Sequence, residues 1–128
     1  MRAVDTNILV RIFERDDPSL TALAEGVLNC GEEIFVSTIV LCELLWVLRS
    51  VYRRPRARLA DIVRRLMDVD DLTLDRDAAR AGLAFLASNG DFSDGVVLYE
   101  AERAKCRELA TFDQKFARIG APGVTLLS

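Results

Sequence analysis

Four carboxylates stand where a small globular chain ordinarily places something apolar or neutral. Asp5 is the only acid ahead of Glu14 and ends the strand-like run Arg2–Asp5. Glu43 is the only acid between Ile34 and Ala60, and Ile39, Val40, Trp46 and Val47 occupy its i±3 and i±4 positions. Asp94 follows Asp91 at helical spacing in Asp91-Phe92-Ser93-Asp94, and Asp113 follows a strand-like run in Thr111-Phe112-Asp113-Gln114. Each has an ordinary structural reading. Asp5 suits a turn or a helix cap, Asp91 an N-cap with Asp94 facing back, and Asp113 a helix-dipole position. Thr111 with Gln114 reads as a capping box that satisfies its helix start without Asp113. Glu43, on a helix apolar around most of its circumference, is expected to be at least partly buried and to need a cation, such as a distant Arg. The joint reading is different: the four acids point into one cleft at one sheet edge, where like charges repel unless a cation neutralises them. Oxygen-only ligands suit Mg²⁺, with Mn²⁺ as the alternative, and argue against zinc.

Histidine is absent. That excludes Ser-His-Asp and Cys-His catalysis, imidazole zinc sites and paired-histidine RNA cleavage. The cysteines, Cys30, Cys42 and Cys106, are odd in number and widely spaced beside apolar neighbours. They read as buried thiols in a reducing compartment, which implies a cytoplasmic protein without a disulfide framework. The net charge of −3 describes no generic polyanion binder. Yet Arg49, Arg53, Arg54, Arg56, Arg58, Arg64 and Arg65 crowd one segment. This basic stretch suits either a selective contact with a phosphate backbone or a solvated helix face.

The 128 residues fit one domain, 1–128, with a core that needs no staples. No apolar run is long enough to cross a bilayer, and the start of the chain lacks signal-peptide character. Short apolar runs alternate with amphipathic helices. Strands are expected at Arg2–Asp5, Ile34–Val36, Asp71–Leu74, Glu108–Thr111 and Val124–Leu127. Asp17-Pro18 starts one helix, with the stripe Leu20, Leu23, Ala24, Val27 and Leu28; Ser37 or Thr38 caps the helix that carries Glu43. Helices between strands imply an α/β fold: a central, mostly parallel sheet with helices on both faces, a three-layer α/β/α arrangement. Ligands in such sheets bind beyond the carboxyl ends of the strands.

Asp5-Thr6-Asn7, the lone Glu43, Asp91-Phe92-Ser93-Asp94 and Thr111-Phe112-Asp113-Gln114-Lys115-Phe116 resemble the acidic signature of PIN-domain nucleases. Over this length and in this order, they resemble the VapC-type toxins of toxin–antitoxin pairs. Gly95 departs from the pattern, standing where a small helix former such as Ala would be expected. The resemblance implies a PIN-like, metal-dependent endoribonuclease cutting structured cellular RNA, tRNA or rRNA. Mg²⁺ would be held mainly by Asp5 and Asp94, with Glu43 and Asp113 completing the site. Thr6, Asn7 and Thr111 would orient the carboxylates, Asp91 would cap or support them, and Arg49, Arg53, Arg54 and Arg56 would hold RNA. It also implies a cognate VapB-type antitoxin and a homodimer, for which the apolar segments Leu41–Leu48 and Leu59–Met67 offer surface. Two other readings stay open: an inert PIN-like interaction module, and a Mg²⁺-binding phosphoacceptor domain. The second ordinarily carries paired acids after its first strand, where Asp5 stands alone.

Overall fold

The computed structural model describes residues Met1–Ser128. Its internal contacts divide the chain into two compact units, Met1–Asp75 and Arg76–Ser128. The first unit contains β1 (Arg2–Ala3), α1 (Thr6–Glu14), α2 (Pro18–Leu28), β2 (Ile34–Phe35), α3 (Thr38–Ser50), α4 (Arg56–Met67) and β3 (Leu72–Thr73). The strands pair in parallel in the order β1-β2-β3, with Arg2 opposite Ile34 and Ile34 opposite Leu72. Parallel pairing requires helical crossovers between strands, and α1–α2 and α3–α4 supply them.

Local chemistry starts these helices where the sequence announces them. Asp17 caps α2 by accepting from the Leu20 N–H at 3.1 Å, with Pro18 at the first helical position. Ser37 caps α3 through the Val40 N–H at 3.2 Å. Between α2 and β2 the chain turns through Gly31 at φ +79°, a conformation that glycine adopts without a Cβ penalty.

The core of this unit takes Leu41, Leu44, Leu45 and Leu48 from α3 and Leu59, Ile62, Val63 and Leu66 from α4. Two expectations change here. On α4, Leu59, Ile62, Val63 and Leu66 are buried and, of the stripe, only Met67 is half-buried, so the helix offers little partner surface, whereas α2 buries only Thr21 and Ala24 and leaves Leu23 and Leu20 in solvent. On α3 the exposed apolar residues are Ile39 and Trp46. The thiols are free, and against the expectation of buried thiols Cys30 and Cys106 are exposed and Cys42 is half-buried. Cys30 lies in the turn after α2, and Cys106 follows Lys105, whose φ of +62° turns the backbone; neither sits on a packed face.

The second unit contains α5 (Arg76–Ala87), α6 (Phe92–Arg103), β4 (Leu109–Thr111), α7 (Gln114–Arg118) and β5 (Val124–Leu126). β4 and β5 pair in parallel, Leu109 opposite Val124 and Thr111 opposite Leu126. Its core joins Phe85, Leu98 and Phe116, with Leu109, Ile119 and Val124 against them; the Phe85 and Phe116 rings meet edge to face at 5.5 Å. No helix of the chain is long and apolar enough to cross a membrane.

The departure at Gly95 has a packing cause. A Cβ on Gly95 would stand 2.4 Å from the Ala81 carbonyl oxygen, and one on Gly82 would stand 2.3 Å from the Phe92 ring. Two glycines, one on each helix, therefore let α5 and α6 approach more closely than alanines would. This contact holds the first turn of α6, where Asp94 resides, against α5.

Candidate active site

In the first unit Asp5 follows β1 with an extended backbone at φ −84°, ψ 165°, and occupies the N-cap of α1. Its Oδ1 accepts from the Thr6 N–H at 2.7 Å. The side chain is exposed, as is Asn7, while Thr6 is buried. The Thr6 hydroxyl donates to Glu43 Oε2 at 2.8 Å, a bond spanning 37 residues of sequence. Because Thr6 adjoins Asp5, that bond brings Asp5 and Glu43 to the same corner of the unit.

Glu43 corrects an expectation: its side chain is exposed rather than partly buried. Helix α3 sinks the Leu41–Leu44–Leu45–Leu48 stripe into the core, so Glu43 shares the outward stripe with Ile39 and Trp46, at 71% and 63% exposure. With water and the Thr6 hydroxyl to solvate it, the carboxylate needs no cation, and it has no ion pair.

In the second unit Asp94 lies in the first turn of α6, half-buried. Loss of solvent, then the charges of Asp91 and Asp113, push its pKa up from 3.8 to about 6, and Lys115 pulls it partly back. Asp91 holds the N-cap position of α6 but makes no cap hydrogen bond from its side chain.

Asp113 supplies a second correction. It caps α7 itself, its Oδ1 accepting from Lys115 N–H at 2.9 Å and Phe116 N–H at 3.1 Å. Thr111 cannot serve as that N-cap because its backbone belongs to β4, paired with Leu126; its hydroxyl instead accepts from the Asp113 N–H at 3.0 Å. One carboxylate oxygen of Asp113 is thus committed to the helix start, while Oδ2 makes no such bond.

The basic segment is more engaged than its sequence suggests. Arg54 grips the carboxylate of Glu14 with Nε and Nη2, and only 3% of the Glu14 side chain is exposed. Arg58 and Arg65 both reach Asp61, at 3.3 Å and 2.9 Å. Arg49 and Arg56 are half-buried and have partners of their own. Arg53 is exposed, on a backbone at φ +54°. The Glu14–Arg54 clamp was not legible beforehand, because nothing local links positions 40 residues apart. Lys115, the cation in the field of Asp94, joins this group with no signal in the sequence beyond its place two residues after Asp113.

The structure therefore assembles two groups, Asp5–Thr6–Glu43 and Asp91–Asp94–Asp113 with Lys115. Within neither unit do three acidic side chains come close enough to one another to hold a metal ion. The donor chemistry nonetheless fits a hard divalent cation, since every available ligand is a carboxylate oxygen and Asp94 is crowded by like charge. An apolar cavity of about 200 Å³ among Leu9, Phe13, Leu28, Leu66 and Leu72 is lined by none of these candidate acids.

No curated protein matches the chain. A solved structure described as a toxin-antitoxin complex from Klebsiella pneumoniae is similar over 98% of this chain and 96% of that one, at 22% identity and a TM-score of 0.36. The family model that matches is the PIN domain, over residues 2–122. Its class is the expected one, α/β with parallel strands, and PIN domains are generally nucleases that use divalent metals. With nearly its whole length matched, this chain belongs to the PIN-domain family.

Proposed function

We propose that the chain is a VapC-type toxin: an endoribonuclease that uses Mg²⁺, or Mn²⁺ in its place, to cut structured cellular RNA, tRNA or rRNA. It acts in the cytoplasm as a homodimer, residues 1–128 forming one nuclease domain, and a VapB-type antitoxin neutralises it. The observation that carries this reading is Asp94, a half-buried carboxylate crowded by Asp91 and Asp113. Such crowding costs stability in the free protein and suits a site made to receive positive charge. Membership of the PIN family supports nuclease chemistry.

Asp5, Glu43, Asp94 and Asp113 are the metal-binding and catalytic carboxylates of this proposal. A bound Mg²⁺ would supply Lewis-acid stabilisation of phosphate charge and a water of lowered pKa. The remaining work falls to the chain. The Thr6 hydroxyl fixes the Glu43 carboxylate by its 2.8 Å bond. The Lys115 and Phe116 amides hold Asp113 through its Oδ1, and the Thr111 hydroxyl accepts from its N–H, so the second oxygen is left for a ligand. Asn7, exposed in the first turn of α1, is assigned to orient Asp5 in this proposal, and Asp91 adds negative charge near Asp94. Arg53, exposed, is the first arginine assigned to the RNA backbone, with Arg54, Arg49 and Arg56, which have partners within the protein, after it. The exposed apolar residues of α2 and α3 support a protein partner at those helices.

Purified, antitoxin-free protein incubated with total cellular RNA, in Mg²⁺ or in EDTA, tests the proposal. Discrete metal-dependent cuts ending in 5′-phosphates, absent with Asp94→Asn, are expected. A folded protein that cuts nothing in Mg²⁺ would overturn the nuclease reading in favour of an interaction module.

A further inference from the structure

Phe112 is 80% exposed, more than any other large apolar side chain in the chain. It is not on a loose tail. On one side, the Thr111 carbonyl of β4 accepts from the Leu127 N–H at 2.8 Å. On the other, Asp113 caps α7, and that helix is anchored by Phe116, which is buried against Phe85. The Thr111 hydroxyl holds the Asp113 N–H between them at 3.0 Å. A connection of two residues, bonded at both ends, therefore presents a phenyl ring to water where a polar residue would serve a mere turn. Next in the chain come the candidate catalytic Asp113 and, three residues after the ring, the exposed cation Lys115, which lies in the field of Asp94.

We propose that Phe112 is a stacking platform for an unpaired base of the RNA substrate, next to the phosphate being cut, with Lys115 attracting the neighbouring backbone. A flat apolar face beside a cation and a cluster of metal-seeking acids matches the chemistry of a nucleotide: a π-face, an anionic linkage and a metal-bridged phosphate. Phe112 is then a specificity-determining residue that touches substrate without taking part in proton or phosphoryl transfer. The inference rests on the ribonuclease reading above.

The test compares Phe112→Ala and Phe112→Trp in an Asp94→Asn background, where cutting is blocked, binding a labelled short oligoadenylate or oligouridylate in Mg²⁺. The platform predicts tighter binding of oligoadenylate, because purines stack over a larger area. Phe112→Ala should weaken it roughly five- to hundred-fold, the usual range for losing one base–aromatic stack, with an unchanged Tm. Phe112→Trp should restore affinity. With Asp94 intact, Phe112→Ala should raise KM on a cleavable RNA far more than it lowers kcat. Equal binding by Phe112→Ala, or no binding of either oligonucleotide by the parent, overturns the platform; if total RNA is still cut, the nuclease stands without it. Loss of cutting in the wild type as well overturns both. A change in sedimentation caused by Phe112→Ala alone would place the ring in a protein interface and overturn the proposal.

Discussion

Replacing Asp94 by Asn should make the metal-free protein more stable at neutral pH while destroying its metal response. The pKa of Asp94 rises from 3.8 to about 6, first because burial strips solvent from the carboxylate and then because Asp91 and Asp113 repel its charge. A group that binds its proton more tightly in the folded state stabilises that state fully below pH ~4, and the benefit is lost as pH climbs to about 6. At pH 7 the ionised carboxylate thus opposes folding. The gap between 3.8 and about 6 sets an upper limit of about 3 kcal/mol. Solvent reaching a half-buried side chain reduces that to about 1–2 kcal/mol. Asn keeps the shape and removes the charge, so Asp94→Asn should raise the Tm by roughly 3–10 °C at pH 7 in EDTA. The gain should shrink steadily towards pH 4, where both side chains are neutral. Thermal unfolding followed by circular dichroism across that range reads both effects. A lower Tm for the variant at pH 7, or a difference that ignores pH, would refute the reasoning and make Asp94 a structural residue.

Mg²⁺ should raise the wild-type Tm by mass action, by about 1.4 kcal/mol of added stability at ten times its Kd, and leave Asp94→Asn nearly unmoved; equal shifts in both would count against Asp94 as a ligand. Gly95→Ala should destabilise by about 1–3 kcal/mol despite the better helix propensity of Ala, because the new methyl meets the Ala81 carbonyl oxygen; a stabilised variant in denaturant unfolding would show that α5 and α6 separate at little cost. Arg54→Met should lower the Tm by leaving the nearly buried Glu14 carboxylate unpaired, and adding Glu14→Gln should recover most of the loss; additive losses in that double-mutant cycle would deny the pair its structural role.

Short-range signals in the sequence carry through to the structure. Asp17-Pro18 and Ser37 start their helices, Gly31 turns the chain, and parallel strands alternate with helices because the apolar spacing in each segment admits little else. Asp5, Asp94 and Asp113 stand at strand ends and helix starts, as their positions in the sequence imply. Where the reading failed, the deciding contact lay far away in sequence or on an unexpected face. Helix α3 is apolar nearly all round, so its composition could not say which stripe would be covered. Packing against α1 and α4 chose the leucines and left Glu43 in water. Thr111 had the spacing of a capping box, but pairing with β5 held it in a strand and passed the capping to Asp113.

By itself, then, the sequence determined the α/β class, the starts of α2 and α3 and the absence of imidazole chemistry, since each is settled by residue type and by bonds spanning a few positions. Only the tertiary structure decided which acids are solvated and which are crowded. The Thr6–Glu43 bond, the Glu14–Arg54 clamp and the raised pKa of Asp94 depend on distances and exclusion of water created by segments remote in the chain. The same holds for the glycine contact of α5 and α6, which makes Gly95 a packing requirement where the sequence read it as an anomaly.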